Sequence, residues 1–526
     1  MTSDAAAPES PPRAGLTIFI VCLALLIVPL GLSGSPVALP AIGQDLHAGV
    51  VPLQWVVNAY NVMAASCMMA AGAIADQIGR KKVFGFGIAL YGVSSLGAAL
   101  AQDIVLVDIA RGLAGVAAGA VMTAGASVMA NMFSGAARAK AFAFVGVTIG
   151  AGLALGPTLS GLLVSSLGWR SVFLLQVVIT VVALLGFGFI QESRNPEASG
   201  VDWPGTITFS LALFAFTLAI IEGPQWGWAS GATLGLFAGC VVMLIAFIMV
   251  ERRATQPMFD LSLFKDARFV GVNLLATAVS FGFVGLMVLL PSYLVGSNGA
   301  SDNEAGLTLL MMTAPVFVFP LVAGKLVAAG VSLRNVLSGA LLLVGIGCGW
   351  LTVIHPGIGA LGLFGPLLVI GIGIGLIFGL MDGAAVSTVP PARVGMATGM
   401  FNTIRLASEA VAVAGMVAAT VSLVQSKLSD GLSRFAGAGD SHAVADSVTS
   451  GNSTDAAEKV AEGSRADFLD FIAQGHTDGL RVVLWGAAAI CAVTAVILYA
   501  VLTDRQKAAQ ADAGEAQEAE KVTASA

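Results

Sequence analysis

Apolar residues along this chain fall into fourteen runs of helical length, which lie between residues 15 and 502 and are separated mostly by short polar loops. A helix needs about 20 apolar residues to cross the hydrocarbon core of a bilayer, and each run supplies roughly that number. The pattern predicts an all-α polytopic membrane protein with 14 transmembrane helices. The first run is too long and too poorly flanked for a cleaved signal peptide, so we expect it to be retained as the first span.

The composition excludes an ordinary soluble domain. Hydrophobic residues make up 57% of the chain, charged residues make up 11%, and the mean hydropathy is +0.90, whereas soluble domains carry about 25% charged residues. The five cysteines all lie inside apolar runs, and their odd number argues against a disulfide framework. The four histidines lie in or beside loops, where we expect them to be solvated rather than bound to a metal. No basic patch indicates nucleic acid.

Lysine and arginine residues in short loops set the orientation, because these charges resist translocation. They occupy alternate loops, whereas the short loops between them carry only Arg170. The alternate loops hold Arg80, Lys81, Lys82, Arg138, Lys140, Arg194, Arg252, Arg253, Lys265, Arg268, Arg334 and Arg393. We therefore expect both termini to be cytoplasmic. The 426–478 loop then falls outside the cell, where its segment 467–472 is expected to form a short amphipathic helix on the outer face.

A charged turn between the second and third runs, residues 72–82, has a looser copy at residues 324–334, after the tenth run. The first copy contains glycines that permit close helix approach and a tight turn, an acid at a helix end, and cations: Gly72, Asp76, Gly79, Arg80 and Lys81. The two copies divide the chain into six spans, two extra spans and six spans, as expected for a parallel repeat. The predicted regions are a disordered cytoplasmic N-terminus (1–14), a six-helix half (15–190), two linker helices (191–268), a six-helix half with the extracellular loop 426–478 (269–502) and a disordered cytoplasmic tail (503–526).

Four motifs resemble those of the major facilitator superfamily, in particular its branch of fourteen-span drug:proton antiporters. The turn 72–82 resembles the loop motif after the second span, Arg111 with Gly115 resembles the arginine motif of the fourth span, and residues 395–405 resemble the signature of the thirteenth. The antiporter motif of the fifth span is matched by Gly152, Gly156, Pro157 and Gly161. The resemblance implies a major facilitator fold and the export of hydrophobic or amphipathic small molecules, such as drugs or antibiotics, by proton antiport with alternating access.

Two positions depart from the motifs of that family. The sequence Val-Ala-Leu-Pro is present at residues 37–40 of the first span, but the acid that usually precedes it is replaced by Gly31. In the arginine motif, Ala114 stands where glutamine is usual. We expect these departures to affect the proton pathway more than the fold.

Charged residues inside the predicted spans cost roughly 2.5 to 3.5 kcal/mol each on insertion scales, so each is a functional candidate. Asp108 lies three residues before Arg111 on the same helical face, a spacing that allows an ion pair. This pair is either structural or part of proton coupling, and the resemblance assigns the arginine a role in proton transfer. Glu409, Arg405 and Asp382 are expected to share a second network, in which the acids either carry protons or substrate, or pair with the arginine to hold two helices together.

The turn 72–82 also has two interpretations, because Asp76 is either a solvated helix cap or part of a latch. The resemblance implies a latch, in which Asp76, Arg80 and Lys81 contact neighbouring helix ends in one orientation of the two halves. Polar groups in the second span should face an interior cavity, together with flexible and aromatic side chains that adapt to different ligands. The cavity candidates are Asn58, Tyr60, Asn61, Met311 and Phe281.

Glycines in two spans predict close helix packing. In the fifth span they accompany the kink expected at Pro157, which predicts a bendable packing face between the halves. In the twelfth span Gly371, Gly375, Gly379 and Gly383 recur every four residues, a ridge on which another helix can pack closely.

The functional prediction is a secondary transporter that expels small molecules and takes up protons, located as a multi-pass protein in the plasma membrane. No ATPase motif and no cluster of His, Cys or acidic residues at catalytic or metal-ligand spacing is present, so we expect neither an enzyme nor a metal or cofactor. The expected partners are the substrate, protons and lipid, and we expect a monomer. An alternative keeps the fold but assigns export of an endogenous metabolite, antibiotic or lipid, with coupling altered by Gly31.

Overall fold

The computed structural model describes residues 14–132, 135–193, 202–254, 261–387 and 394–502. Within these ranges eighteen α-helices follow one another. They are α1 (Ala14–Asp45), α2 (Val50–Ile78), α3 (Arg80–Leu100), α4 (Ile104–Met132), α5 (Gly135–Leu167), α6 (Arg170–Gly186), α7 (Trp203–Trp226), α8 (Gly231–Arg253), α9 (Ala267–Val279), α10 (Gly285–Gly296), α11 (Asp302–Ala328), α12 (Leu333–Leu351), α13 (Ala360–Phe378), α14 (Met381–Ser387), α15 (Val394–Ser429), α16 (Ser441–Thr449), α17 (Ser453–Glu458) and α18 (Arg465–Val501).

The helical architecture follows from the hydrocarbon environment in which the apolar runs of the sequence are stable. Hydrocarbon offers no hydrogen bonds, so the backbone of an apolar run satisfies itself within a helix. Thirteen helices in the described part of the chain are long and apolar enough to cross a membrane. Helix α2 is not among these thirteen, and it buries Gln54, Asn58 and Asn61 along its first half. The all-α membrane fold is confirmed, and a fourteenth span formed by α2 stays a prediction.

The first six helices and the six spans after α8 repeat one pattern of packing. Helix α4 packs on α2 and α3, α6 packs on α3, and α1 packs on α5 and α6. In the later half α13 packs on α11 and α12, α18 packs on α12, and α9 with α10 packs on α15 and α18. The halves meet where α5 contacts α11, where α2 contacts α15 and where α1 contacts α10. Helix α7 lies beside this junction, against both α2 and α15, and α8 packs on α7.

Two spans of the later half depart from a regular helix. A π-helical turn, Ser280–Val284, joins α9 to α10, and Gly379 with Leu380 separates α13 from α14. The glycine ridge predicted in this second span packs against α11, as expected. A Cβ atom on Gly375 or on Gly379 would lie 2.8 Å from a carbonyl oxygen of α11, whereas one on Gly383 would meet no described residue within 4 Å. The ridge prediction is therefore confirmed at the first three glycines and stays a prediction at Gly383.

The segment between α15 and α18, residues 430–464, folds into a small helical unit that we call the loop domain. Its apolar side chains form a buried cluster together with residues of α15 and α18: Val424, Leu428, Leu432, Ala438, Val444, Ala445, Val448, Ala456, Ala457, Val460, Phe468 and Ile472. The expectation of a separate amphipathic helix at 467–472 is wrong, because these residues form the start of the continuous helix α18 and bury Phe468 and Ile472. The charged residues at this end of α18 favour a surface position in the sequence, but the apolar residues between them pack into the loop domain.

Candidate functional site

Arg111 ties three helices of the first half together. It projects from α4, is 2% exposed, and donates hydrogen bonds from Nε to the Val56 carbonyl of α2 (2.9 Å) and from Nη2 to the Gly31 carbonyl of α1 (3.2 Å). Its guanidinium group also lies 4.3 Å from the centre of the Tyr60 ring, a cation–π contact. Gly115 allows this approach, because a Cβ atom there would overlap the Tyr60 carbonyl oxygen. The arginine motif thus positions a buried positive charge against α1 and α2.

The expected ion pair between Asp108 and Arg111 is not formed. The described ion pairs do not include these two residues, and Oδ1 of Asp108 is buried without a hydrogen-bond partner among the described groups. The spacing does place both residues on one face of α4, but the longer arginine side chain turns towards backbone carbonyls of α1 and α2 instead. The structural interpretation of this pair is therefore wrong.

Two tyrosines complete the surroundings of Arg111. The Tyr60 hydroxyl donates to the Val28 carbonyl (3.2 Å), and the Tyr91 hydroxyl donates to the Ile27 carbonyl (3.1 Å), so both are fixed to α1 one turn before Gly31. Their rings meet edge to face with centroids 6.5 Å apart. Both tyrosines are fully buried, and Tyr91 is a residue that the sequence reasoning did not single out.

Glu409 and Arg405 lie one turn apart on α15, at the contact between the halves. Glu409 is 6% exposed, its Oε1 lies 3.9 Å from Arg405 Nε, and its Oε2 is buried with no hydrogen-bond partner in the described part of the chain. The neighbouring Leu406 and Ala410 pack in one apolar cluster with Tyr60 of α2. Glu409 therefore lies on the face of α15 that meets the first half. The side chain of Asp382, the third member of the predicted network, lies outside the described residues.

The five cavity candidates are all partly or fully buried, but they lie in different places. Asn58, Tyr60 and Asn61 occupy α2, and the Oδ1 atoms of both asparagines have no hydrogen-bond partner within the described ranges. Met311 of α11 and Phe281 of the π-helical turn are half-buried against the core of the later half. Buried amide oxygens without a protein partner are costly unless water or a ligand satisfies them, so the two asparagines stay candidates for the polar part of a cavity.

The turn 72–82 is held by the end of the first half. Gly79 ends α2 with φ +125°, a conformation that L side chains rarely adopt, and a Cβ atom there would lie 2.7 Å from a carboxylate oxygen of Glu192. That carboxylate accepts from the Lys81 backbone N–H (3.0 Å), and the Lys81 ammonium lies 5.1 Å from the Phe187 ring centre. A carboxylate at the exposed N–H groups of a helix start is stabilising, so Glu192 caps α3.

Glu192 was missed from the sequence because the contact joins residues 111 positions apart. Gly72 faces α4, where its Cβ would lie 3.9 Å from Thr123, an ordinary contact. The side chain of Asp76 lies outside the described residues.

The antiporter motif in α5 packs on both halves. Towards the first half, a Cβ atom on Gly152 would lie 2.5 Å from the Pro29 ring, and one on Gly156 would overlap the Ser33 hydroxyl. Towards the later half, Gly161 meets Gly306 of α11, where a Cβ atom on either glycine would lie 3.0 Å from the Cα of the other. Pro157 lies between these contacts, inside the helix. The predicted packing face between the halves is therefore present.

The loop domain adds a contact between the halves that none of the sequence motifs predicts. The Asp446 carboxylate accepts from the Val50 backbone N–H (3.2 Å) at the start of α2, and burial raises the pKa of Asp446 more than this bond and the nearby His442 lower it. Asn452 lies beside Gly43 near the end of α1, where a Cβ atom would be 3.3 Å from Nδ2. The loop domain thus covers the end of the first half opposite to the basic turn 72–82.

The expectation that the histidines are solvated is wrong for His476. Its side chain is 1% exposed, and its Nδ1 lies 2.7 Å from the Ser297 hydroxyl. Continuation of α18 through the predicted loop brings it into the later half.

Comparison with known proteins identifies this architecture. The sequence model of the Major Facilitator Superfamily matches residues 21–413. The chain belongs to this superfamily. Superfamily members are transporters that handle small molecules, and this one is a multi-pass protein of the plasma membrane. The resemblance drawn from the four sequence motifs is therefore confirmed.

Individual superfamily members add detail. The chain is 32% identical over 409 residues to the multidrug resistance protein Stp of Mycobacterium tuberculosis, covering 77% of this chain and 74% of that protein. It is 29% identical over 409 residues to a methylenomycin A resistance protein of Streptomyces coelicolor, with 77% and 85% covered. A bacterial homologue of the lysosomal transporter Spinster, solved in an inward-facing and unoccupied conformation, shares the fold with a TM-score of 0.62 at 13% identity, over 94% of this chain and 98% of that one.

Proposed function

We propose that this protein exports hydrophobic or amphipathic small molecules, such as drugs or antibiotics, in exchange for protons. The observation that carries the coupling is Glu409, a buried carboxylate on the face of α15 that meets the first half, with one oxygen lacking a hydrogen-bond partner in the described structure. The similarity to a multidrug resistance protein over three quarters of the chain supports the direction of transport and the substrate class.

The movement that we propose is a rocking of the two halves about the contacts of α5 with α11 and α2 with α15. The end that carries the loop domain is held closed by the Asp446 bond to α2 and by the glycine contact between α5 and α11. Lysine and arginine at the turn 72–82 support a cytoplasmic position for the other end, with both termini cytoplasmic. Access in the described state is then from the cytoplasm.

Proton binding to Glu409 is the proposed coupling step. A proton on Oε2 removes the carboxylate charge, so the attraction to Arg405 Nε across 3.9 Å is lost. The loss of this attraction changes the charge balance on the face of α15 that meets α2, which favours a rearrangement of the halves. Asp382, Asp108 and Arg111 are further candidates for the same pathway, and Asn58, Tyr60, Asn61, Met311 and Phe281 are proposed to line the substrate cavity.

The turn 72–82 is proposed as the cytoplasmic gate. The contacts of Gly79 and Lys81 with residues 187–193 fix the turn to the end of α6. Movement of the first half then carries Gly72, Asp76, Arg80 and residues 187–193 as one unit.

The test is proton-driven efflux in proteoliposomes containing the purified protein, with a substrate found by drug susceptibility in a pump-deficient host. Glu409→Gln is expected to abolish the response of efflux to an imposed pH gradient, and Asp382→Asn to weaken it. Glu462→Gln removes an exposed carboxylate in the loop domain and is the matched control. Unchanged gradient-driven efflux in both Glu409→Gln and Asp382→Asn would show that the acids are misassigned, and no response in the wild-type protein would exclude antiport.

A second candidate is the export of an endogenous antibiotic or another metabolite. The similarity to the methylenomycin A resistance protein of Streptomyces coelicolor favours it. So does 29% identity over 325 residues to a tetracenomycin C resistance and export protein of Streptomyces glaucescens, which covers 60% of this chain and 60% of that protein. Culture supernatants of a deletion strain would lack the exported metabolite in this case. A monomer is the proposed functional unit, because one chain supplies both six-helix halves of the fold.

A further inference from the structure

Residue 31 has no room for a side chain. A Cβ atom built on Gly31 would overlap the Tyr91 hydroxyl oxygen and would lie 3.4 Å from Cζ of the same ring. The hydroxyl is fixed there by its hydrogen bond to the Ile27 carbonyl (3.1 Å), and Tyr91 is fully buried. The obstruction therefore comes from a single oxygen atom, and the rest of the ring lies at ordinary contact distance.

Residue 31 also faces the guanidinium nitrogen of Arg111 that has no hydrogen-bond partner among the described groups. The built Cβ atom would lie 3.6 Å from Nη1, the guanidinium nitrogen that has no hydrogen-bond partner within the described structure. The other two nitrogens are satisfied by backbone carbonyls. An acidic side chain at residue 31 would reach Nη1, and a buried guanidinium group is stabilised most by a paired carboxylate.

We propose that Tyr91 takes the place of a side chain at residue 31 and thereby keeps a carboxylate away from Arg111. Residues 31 and 91 then form a compensating pair, in which the tyrosine hydroxyl fills the volume that a larger residue 31 would need. Tyr91 is a positioning residue: it leaves the guanidinium group of Arg111 in contact with neutral groups, namely two carbonyls, the Tyr60 ring and the Tyr91 hydroxyl. The steric statement is independent of transport, and its bearing on proton coupling rests on the proposed function.

The first experiment is a double-mutant cycle of Gly31→Ala and Tyr91→Phe, read out as the melting temperature of the purified protein in detergent. Gly31→Ala adds one carbon atom where Tyr91→Phe removes one oxygen atom, so the two changes compensate in volume. We expect Gly31→Ala alone to lower the melting temperature by several degrees and the double variant to recover at least half of that loss. The control pair is Gly31→Ala with Tyr293→Phe, because the Tyr293 hydroxyl is buried in the later half, where it bonds to Thr477 of α18.

Additive effects in the cycle with Tyr91→Phe would overturn the proposal, since a tyrosine that served only to bond Ile27 would lose the same stability in either background. Recovery of equal size with Tyr293→Phe would overturn it too, because the compensation would then not be local. This readout needs no substrate, so its failure is distinct from a failure of the proposed transport function.

The second experiment tests the charge. In a Tyr91→Ala background, which opens the volume of the ring, Gly31→Asp is compared with Gly31→Asn. We expect the aspartate variant to melt at a higher temperature than the asparagine variant, because only the carboxylate pairs with Arg111. Equal melting temperatures, or a lower one for aspartate, would show that Tyr91 does not keep a carboxylate away from this arginine. For the variants that transport, the pH dependence of efflux is then expected to differ between aspartate and asparagine, which a purely structural role would not produce.

Discussion

Gly161 and Gly306 bring the two halves into contact through backbone atoms, so Gly306→Ala provides a sharp test of the proposed movement. A Cβ atom on Gly306 would lie 2.8 Å from the Pro157 carbonyl oxygen and 3.0 Å from the Gly161 Cα. Ordinary contact begins at 3.4 Å, so α5 and α11 have to separate by about 0.5 Å. Overpacking of this kind costs about 1 to 3 kcal/mol.

This free-energy cost falls on the conformation in which the end that carries the loop domain is closed. Separation of α5 and α11 at that end removes the cost. Each 1.4 kcal/mol is a factor of about ten in population, so we expect the closed state to lose between roughly five-fold and a hundred-fold relative to the open one. The intrinsic gain of up to about 1 kcal/mol from replacing glycine by alanine in a helix works in the opposite direction. Gly324→Ala corrects for this gain, because Gly324 lies in the same helix and a Cβ atom there would meet no described residue within 4 Å.

Two measurements decide the outcome. A membrane-impermeant maleimide labels a cysteine introduced near Gly161, and we expect faster labelling in Gly306→Ala than in Gly324→Ala. Efflux of an identified substrate is expected to fall in Gly306→Ala only. If the two alanine variants label and transport alike, the close contact of α5 and α11 does not hold this end closed, and the movement proposed here is wrong.

Three further outcomes follow from the contacts at the two ends of the bundle. Asp446→Ala is expected to lower the free energy of unfolding by about 1 kcal/mol, the usual loss when a helix cap is removed. Asp446→Asn keeps an acceptor for the Val50 N–H of α2, so its thermal unfolding should be close to that of the wild-type protein. Because burial raises the pKa of Asp446, its stabilising contribution is largest below the ordinary carboxyl pKa and is lost as pH rises through the raised value, a pH dependence that the asparagine variant should lack. A disulfide formed between Gly43→Cys and Asn452→Cys should stop efflux, and a reductant should restore it. The two single variants should be unaffected. Efflux that continues after complete cross-linking would refute closure by the loop domain. Glu192→Ala should reduce efflux while Glu192→Gln retains part of it, because the amide oxygen still accepts from Lys81, and equal efflux in both would exclude capping as its role.

The helical spans were predictable because hydropathy over about 20 residues is a strong signal that does not depend on tertiary contacts. The site was predictable only in part. Burial of Arg111 and Glu409 followed from their positions inside apolar runs, but the partner of Arg111 did not. Helical spacing favours Asp108 as the partner, whereas in the structure Arg111 donates to backbone carbonyls of α1 and α2. Every residue has a backbone carbonyl, so the sequence cannot indicate which of them accepts a hydrogen bond.

The contacts made by Glu192, Asp446 and Tyr91 were beyond sequence reasoning for a related reason. Each joins segments more than sixty residues apart, through a side chain whose type is unremarkable where it stands. The loop domain was hidden for another reason: its small and polar residues resemble a solvated linker, and their burial depends on the helices α15 and α18 that continue into it.

Helix α7 has a consequence for the route by which substrate reaches the protein. It covers the contact of α2 with α15, where Leu213 packs with Tyr60 and Leu406, and where the Phe214 ring lies 5.4 Å from that of Trp55. Lipid on this side therefore meets α7 and the largely exposed surface of α8 rather than a seam between the halves. The seam between α5 and α11 has no such cover among the described helices. A hydrophobic compound dissolved in the bilayer therefore meets the two extra helices on one side of the molecule and the contact of α5 with α11 on the other, so these helices make the protein asymmetric towards the membrane around it.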